Sequence, residues 1–206
     1  LAENYNLVLF DWPFSEKRVY EHGKYTSYEP YADDLITIMN EMDLKSVTFV
    51  GHSMSAMIFC IASTKQPHLF KRLVLGNYFP NNIIALHACI IAYAPIAVDP
   101  NDAVSVEKFK NCLKNMGVEV AISLAKTVFF SDYRDMLEMV QIPCTIIQSS
   151  NDVAVLLNIG NYLKEKIKGV SSLEIIDMTA HFPQLTAHLK LVELLKAVVV
   201  SGPAQI

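Results

Sequence analysis

The sequence predicts an α/β fold, a mostly parallel sheet with helices on both faces, from three observations. Short apolar runs alternate with longer helix-like stretches along most of the chain. Those runs are nearly continuous in apolar character, as strands covered on both faces require. The residues that carry chemistry fall just past the carboxyl ends of the runs, the edge at which open α/β sheets bind ligands. Strands are expected near 5–11, 46–51, 71–76, 142–149 and 172–178, and core helices near 28–43, 54–66, 153–167 and 183–200.

In chain order, Tyr5-Asn6-Leu7-Val8-Leu9-Phe10-Asp11 reads as the first strand, beginning within four residues of the first residue, Leu1. That abrupt opening, without Met, suggests an incomplete chain, and no secretory leader is legible in Leu1-Ala2-Glu3-Asn4. Val47-Thr48-Phe49-Val50 is β-branched and aromatic, and the apolar helix Ala56 to Ala62 follows almost at once. The stretch 78–140 breaks the rhythm. Its helical patterns near 83–93, 103–114, 117–130 and 132–140, punctuated by Pro95 and Pro100, read as a lid over the active edge. Pro143 to Gln148 and Ser172 to Asp177 resume the strand pattern. Leu189 to Val200 is apolar but interrupted by Lys190, Glu193 and Lys196, so it reads as a core-packed helix rather than a membrane span. The expected division is 1–77 for the first part of the core, 78–140 for a shortened lid and 141–206 for the rest, as one structural domain.

Bulk properties narrow the function classes. A chain of 206 residues with 52% apolar content is globular, and a net charge of −4 gives no reason to expect nucleic acid or an anionic membrane as partner. Cys60, Cys89, Cys112 and Cys144 lack metal-ligand spacing and sit among apolar residues, so they read as buried thiols of a reducing compartment, cytoplasmic or nuclear. No metal or organic cofactor is implied.

The chemistry begins at Gly51-His52-Ser53-Met54-Ser55. A strand that ends in a small residue and a Ser before a helix is the layout of a nucleophile elbow, with Ser55 in place of the last Gly of G-x-S-x-G. Asp152 follows the strand 142–149, and His181 follows the strand 172–178. The order Ser, Asp, His is that of α/β-hydrolases. Ser53 is then the candidate nucleophile, His181 the base and Asp152 the residue that orients the base, although Asp152 also suits a helix N-cap. The amide of Met54, next after the nucleophile, is the candidate oxyanion donor. His52 reads as a packed neighbour of the elbow rather than a second base. Asp33-Asp34 reads as a solvated helix face, and Trp12, Phe14 and Tyr25 as either a pocket entrance or packing under a loop.

These residues resemble the strigolactone- and karrikin-receptor group of plant α/β-hydrolases over almost the whole chain. The elbow Gly51 to Ile58, Tyr93-Ala94-Pro95-Ile96-Ala97-Val98, Thr127-Val128-Phe129 with Ser131-Asp132, and His181-Phe182-Pro183-Gln184-Leu185 carry the likeness. Leu7 to Trp12 and Glu165 to Gly169 look most like the "like-two" branch, paralogous to the strigolactone receptor. The resemblance implies a serine hydrolase with a helical lid over an apolar pocket. Tyr93, Val128 and Phe129 match pocket positions, a small butenolide-like molecule would be the ligand, and F-box and repressor proteins would be partners.

Three departures from the group set further expectations. No His-Gly-type oxyanion loop following a strand lies in 1–46, and the interior strand that would precede 5–11 is missing. Without it, 5–11 must pair directly with 46–51 or the sheet stays open there. Only 15 residues separate Asn77 from Tyr93, with Cys89 where relatives carry Trp, so the lid should be smaller. Ala180 stands where relatives have Gly and should strain the loop that aims His181 if the backbone there needs positive φ. The alternative function is a ligand-binding or interaction protein without turnover.

Overall fold

Four strands lie side by side in chain order and all run parallel: β1 (Val47–His52), β2 (Phe70–Gly76), β3 (Cys144–Asn151) and β4 (Ser171–Thr179). The computed structural model of the chain describes residues 1–15, 20–21, 23–77, 97–152 and 154–200. Among them, α1 (Glu29–Glu41) precedes β1, α2 (Met54–Lys65) joins β1 to β2, and α3 (Ala103–Met116) and α4 (Val118–Phe130) lie between β2 and β3. Then α5 (Asn158–Lys166) joins β3 to β4, and α6 (Pro183–Thr186) and α7 (His188–Val200) complete the chain. The expected helix at 83–93 lies outside the described residues.

Side chains alternate between two cores, which is why the strands read as unbroken apolar runs. Leu73, Leu75, Cys144 and Ile146 enter the larger core with α1, α2 and α5. Val74, Ile147 and Ile176 turn to the other face and meet Leu195 and Val198 of α7. Nine of the twelve residues of α2 are buried, so this helix is enclosed on nearly every side. Each large apolar side chain so buried contributes about 1.5–3 kcal/mol, and among the described residues no helix buries more of its residues than α2. Arg72, buried on the α7 face, donates from Nη1 to the Val198 carbonyl and so caps that helix.

Four expectations about secondary structure need correction. Residues 5–11 form no strand. Apolar propensity alone does not make one; the backbone must join a ladder. Here Leu9 is 91% exposed and β1 remains at the sheet edge. Trp12 turns inward instead, its ring edge-on to Phe10 at 5.0 Å and to Tyr31 at 5.7 Å. The helix expected at 132–140 is a six-residue 3₁₀ segment, Arg134–Met139, too short to repay helix nucleation and pinned by buried Leu137. The helix expected from 153 begins at Asn158; Asp152 accepts from Ala154 and Val155 N–H ahead of it and so caps a turn rather than the helix. The helix expected over 183–200 is split at Ala187 into α6 and α7.

A seam of tyrosines ties α4 to the segment before α1. Thr127 Oγ1 donates to the Tyr25 carbonyl at 2.9 Å, Tyr133 Oη donates to Glu29 at 2.7 Å, and the Tyr28 ring stacks on Tyr133 at 5.1 Å. The Tyr25 ring stacks on Tyr31 at 4.3 Å and the Phe14 ring meets Tyr31 edge-on at 6.2 Å, so both pack against α1, the second of the two roles open to them. Asp33 and Asp34 pair with Lys65 and Lys24 at the surface, as a solvated helix face would. Cys60 and Cys144 are buried thiols, burial pushing both pKa values up, but Cys112 is exposed on α3, against expectation. Cys89 lies outside the described residues. No helix among the described residues is long and apolar enough to cross a membrane.

Candidate active site

The elbow is built by close approach of β1 and α2. A Cβ placed on Gly51 would lie 2.5 Å from the Phe59 ring and 2.9 Å from the Ala56 nitrogen, so only glycine fits before the turn. Ser53 sits at the apex with φ 52° and ψ −117°, a conformation that costs a non-glycine residue about 1–3 kcal/mol. Its N–H donates to the Gly76 carbonyl at 2.8 Å, and its carbonyl accepts from Ala56 N–H at 3.0 Å. These bonds hold the strained turn. Ser55 replaces a glycine without harm because its hydroxyl finds a partner, accepting from Trp12 Nε1 at 2.8 Å. Met54 opens α2, where the first-turn amides have no intrahelical acceptor and the helix dipole is positive.

Asp152 and His181 come together from two different strands. His181 Nδ1 lies 2.7 Å from Asp152 Oδ2, and both residues are buried. The other carboxylate oxygen, Oδ1, accepts from Ala154 N–H at 2.8 Å and Val155 N–H at 3.1 Å. Asp152 thus caps a turn, not the helix that follows, while its second oxygen remains committed to the imidazole. A carboxylate is acceptor-only, so the proton between them sits on Nδ1 and leaves Nε2 as the basic nitrogen. Gln148, buried in β3, donates to the Val155 carbonyl at 2.9 Å and steadies the same turn.

The loop that carries His181 is strained as expected: Ala180 has φ 87°. Its N–H donates to Asn151 O at 3.0 Å, and His181 N–H donates to Ala97 O at 2.9 Å, which leaves the backbone no room to relax. Ala180→Gly should relieve about 1–3 kcal/mol of strain against about 0.5–1 kcal/mol of added chain entropy, a net gain of about 1 kcal/mol. Thermal unfolding should show a rise of about 2–4 °C, and a fall would mean that the loop holds no strain.

His52 packs against the base. The ring centroids of His52 and His181 are 4.7 Å apart, and His52 Nε2 meets the His181 carbonyl at 2.7 Å. Phe182 covers both imidazoles, 5.0 Å from the His52 ring and 5.2 Å from the His181 ring, and leans 5.1 Å from Phe109 of α3. The insertion therefore reaches the site through Phe182. Burial, with His181 adding to it, pushes the pKa of His52 down to about 3. An unfolded imidazole titrates near 6.5. Between those values the unfolded chain binds the extra proton, so His52 should contribute its full stability above about pH 6.5 and lose it as pH falls toward about 3, by up to about 1.4 kcal/mol per unit. Urea unfolding from about pH 7 to about pH 4 checks this. The wild-type stability should fall more steeply than that of His52→Gln, and parallel curves would rule His52 out as the titrating group.

Of the pocket positions, Val128 is half-buried and packs on the larger core, Phe129 beside it is half-buried, and Tyr93 lies outside the described residues. Two surface hollows, one over Ala103, Val104, Glu107, Lys108 and Asn111 of α3 and one along Glu165 to Lys168 with Glu138, include no residue of the Ser53, Asp152 and His181 set. Among the described residues no cluster of three or more His, Cys, Asp or Glu side chains is placed to hold a metal ion. Sequence reasoning does not single out Phe182 as a cover for the site, nor Asn77, which joins the His181 carbonyl to β3. For Asn77 the available signal is a polar residue at the carboxyl end of β2, on the ligand-binding edge.

No family model matches the chain. It is 30% identical over 220 residues to the strigolactone esterase D14 of Arabidopsis thaliana, covering 95% of this chain and 82% of that protein. It is 32% identical to a probable esterase of Oryza sativa subsp. japonica, over 91% of this chain and 79% of that one. It is 33% identical to the karrikin insensitive 2 receptor IA of Petunia hybrida, over 91% and 78%. Among solved structures, a hydrolase from Oleispira antarctica superposes with a TM-score of 0.79 at 25% identity, covering 87% of this chain and 74% of that one. The enol-lactonase from Burkholderia xenovorans LB400, at TM-score 0.70 and 16% identity over 87% of this chain and 74% of that one, shares the fold.

Proposed function

Because the chain belongs to the family of strigolactone esterases and karrikin receptors, which are α/β-hydrolases, we propose that it is a serine esterase that hydrolyses small butenolide- or ester-type ligands and serves as their receptor. The observation that carries this reading is the buried Asp152–His181 bond of 2.7 Å beside the strained Ser53 turn. A satisfied loop histidine needs no buried carboxylate, and an ordinary turn serine needs no positive φ.

In the proposed mechanism, His181 Nε2 takes the proton of Ser53 Oγ as that oxygen attacks the ligand carbonyl. The Met54 amide donates to the developing oxyanion. His181 then protonates the departing alcohol or enol, and water activated by the same nitrogen clears the acyl group from Ser53. Asp152 keeps the imidazole in the required tautomer and stabilises its cation. Tyr93, Val128 and Phe129 would line the apolar pocket. Partners of F-box and repressor type, and a cytoplasmic or nuclear location, belong to the same proposal; the buried thiols of Cys60 and Cys144 suit a reducing compartment.

A fluorogenic butenolide ether tests the reading. The expected result is fluorophore release with a transient mass gain localised to Ser53. A ligand-induced rise in melting temperature with no release would replace it with the non-catalytic binding function.

A further inference from the structure

We infer that Asn77 is a positioning residue for His181, and that the pair Gly76–Asn77 is the junction that fixes the three catalytic segments relative to one another. The chemical consequence rests on the hydrolase reading; the structural one does not.

Asn77 closes β2, is fully buried, and has φ 42°, a left-handed conformation that asparagine tolerates. Its backbone N–H donates to Ile147 O at 2.8 Å. Its side chain then spans two catalytic segments. Oδ1 accepts from Ser149 N–H at 2.8 Å, while Nδ2 donates to Ser149 Oγ and to the His181 carbonyl, each at 2.7 Å. The partners fix the amide orientation: an N–H must meet an acceptor and a carbonyl must meet a donor, so Oδ1 faces Ser149 and Nδ2 faces His181.

The residue before it completes the junction, since the Gly76 carbonyl receives the Ser53 N–H at 2.8 Å. Two consecutive residues therefore bond the amide of the nucleophile, the strand that leads into Asp152, and the backbone of the base. His52 Nε2 is the second donor to the same His181 carbonyl. A carbonyl held by two donors fixes the peptide plane after His181, and with it the direction in which the imidazole leaves the backbone. An apolar side chain at 77 would leave the buried Ser149 N–H without its acceptor and the His181 carbonyl with one donor fewer, so the same amide closes the end of the ladder and fixes the orientation of the base.

The test compares Asn77→Asp and Asn77→Gly with wild type and with Leu195→Ala, a packing control in the opposite layer. Asn77→Asp preserves the acceptor for Ser149 N–H but turns an oxygen toward the His181 carbonyl. Asn77→Gly keeps the positive φ and removes the side chain, and it serves if the aspartate variant does not fold. Two readouts are taken: the rate of Ser53 labelling by a fluorophosphonate, and the ¹H–¹⁵N signals of the His181 imidazole, including the Nδ1 proton shared with Asp152. A displacement of about 1 Å slows such a reaction about 10²-fold. The expected result is labelling slowed by about that factor in both Asn77 variants, with a broadened or shifted His181 signal. Leu195→Ala should label near the wild-type rate at an equal or greater loss of melting temperature. Wild-type labelling rates together with an unchanged His181 signal in the Asn77 variants would overturn the inference. If wild type itself is not labelled at Ser53, the hydrolase reading fails, and the His181 signals alone decide the role of Asn77.

Discussion

Ser53→Ala is expected to remove all but background hydrolysis of p-nitrophenyl acetate, a loss of about 10⁴–10⁶-fold in kcat, while leaving a folded protein. The structural reason for intact folding is that Ser53 holds its place through backbone atoms. Its N–H bonds to Gly76 O and its carbonyl to Ala56 N–H, and alanine keeps both. Alanine also bears the same strain at φ 52°, so the melting temperature should hardly change. Ser53→Gly sharpens the test. Glycine adopts positive φ freely, so this variant should melt higher than wild type while being equally inactive. Activity lost as stability rises is the signature of strain kept for function. A rate in Ser53→Ala equal to that of wild type would show that hydrolysis occurs elsewhere, and no rate in wild type would favour the binding function.

What the sequence reveals and what it hides follow from how far each feature depends on distant residues. The elbow is legible because its requirements are local: Gly51 must lack a Cβ because Phe59 and Ala56 come so close to it just along the chain. The strain at Ala180 is legible only through the resemblance, because an alanine does not announce a positive φ and the glycine of relatives does. The four strands fall within two residues of their expected bounds because two-sided burial leaves an unmistakable apolar run. The run 5–11 is also largely apolar but forms no strand, because pairing depends on what lies alongside and not on propensity. The start of α5 escapes sequence reasoning because Asp152 accepts from Ala154 and Val155 N–H in the pattern of a helix N-cap, yet the helix itself opens only at Asn158. Asn77 escapes it because its side-chain partners lie 72 and 104 residues away, and nothing in its own neighbourhood announces them.

Asp152→Asn should lower kcat about 10⁴-fold while changing KM little, and the reason lies in how the two carboxylate oxygens are used. Oδ1 accepts from the amides of Ala154 and Val155, so the only oxygen of an asparagine at 152 must take that position. Its NH₂ is then turned to the place of Oδ2, 2.7 Å from His181 Nδ1. Two donors cannot face one another across that distance, so the imidazole must move its proton from Nδ1 to Nε2. The nitrogen that should receive the Ser53 proton is then already protonated, and the base is disabled in a site whose shape is unchanged. Asp152→Ala acts differently, since it also frees the two amides and should lower stability by about 1–3 kcal/mol for the buried bonds lost. The pair of variants separates the two jobs of this residue. Asp152→Asn should melt close to wild type and fail in turnover, whereas Asp152→Ala should fail in both. If Asp152→Asn instead retained most of its activity, the imidazole would have to be oriented by its backbone alone, through the His52 and Asn77 bonds to the His181 carbonyl.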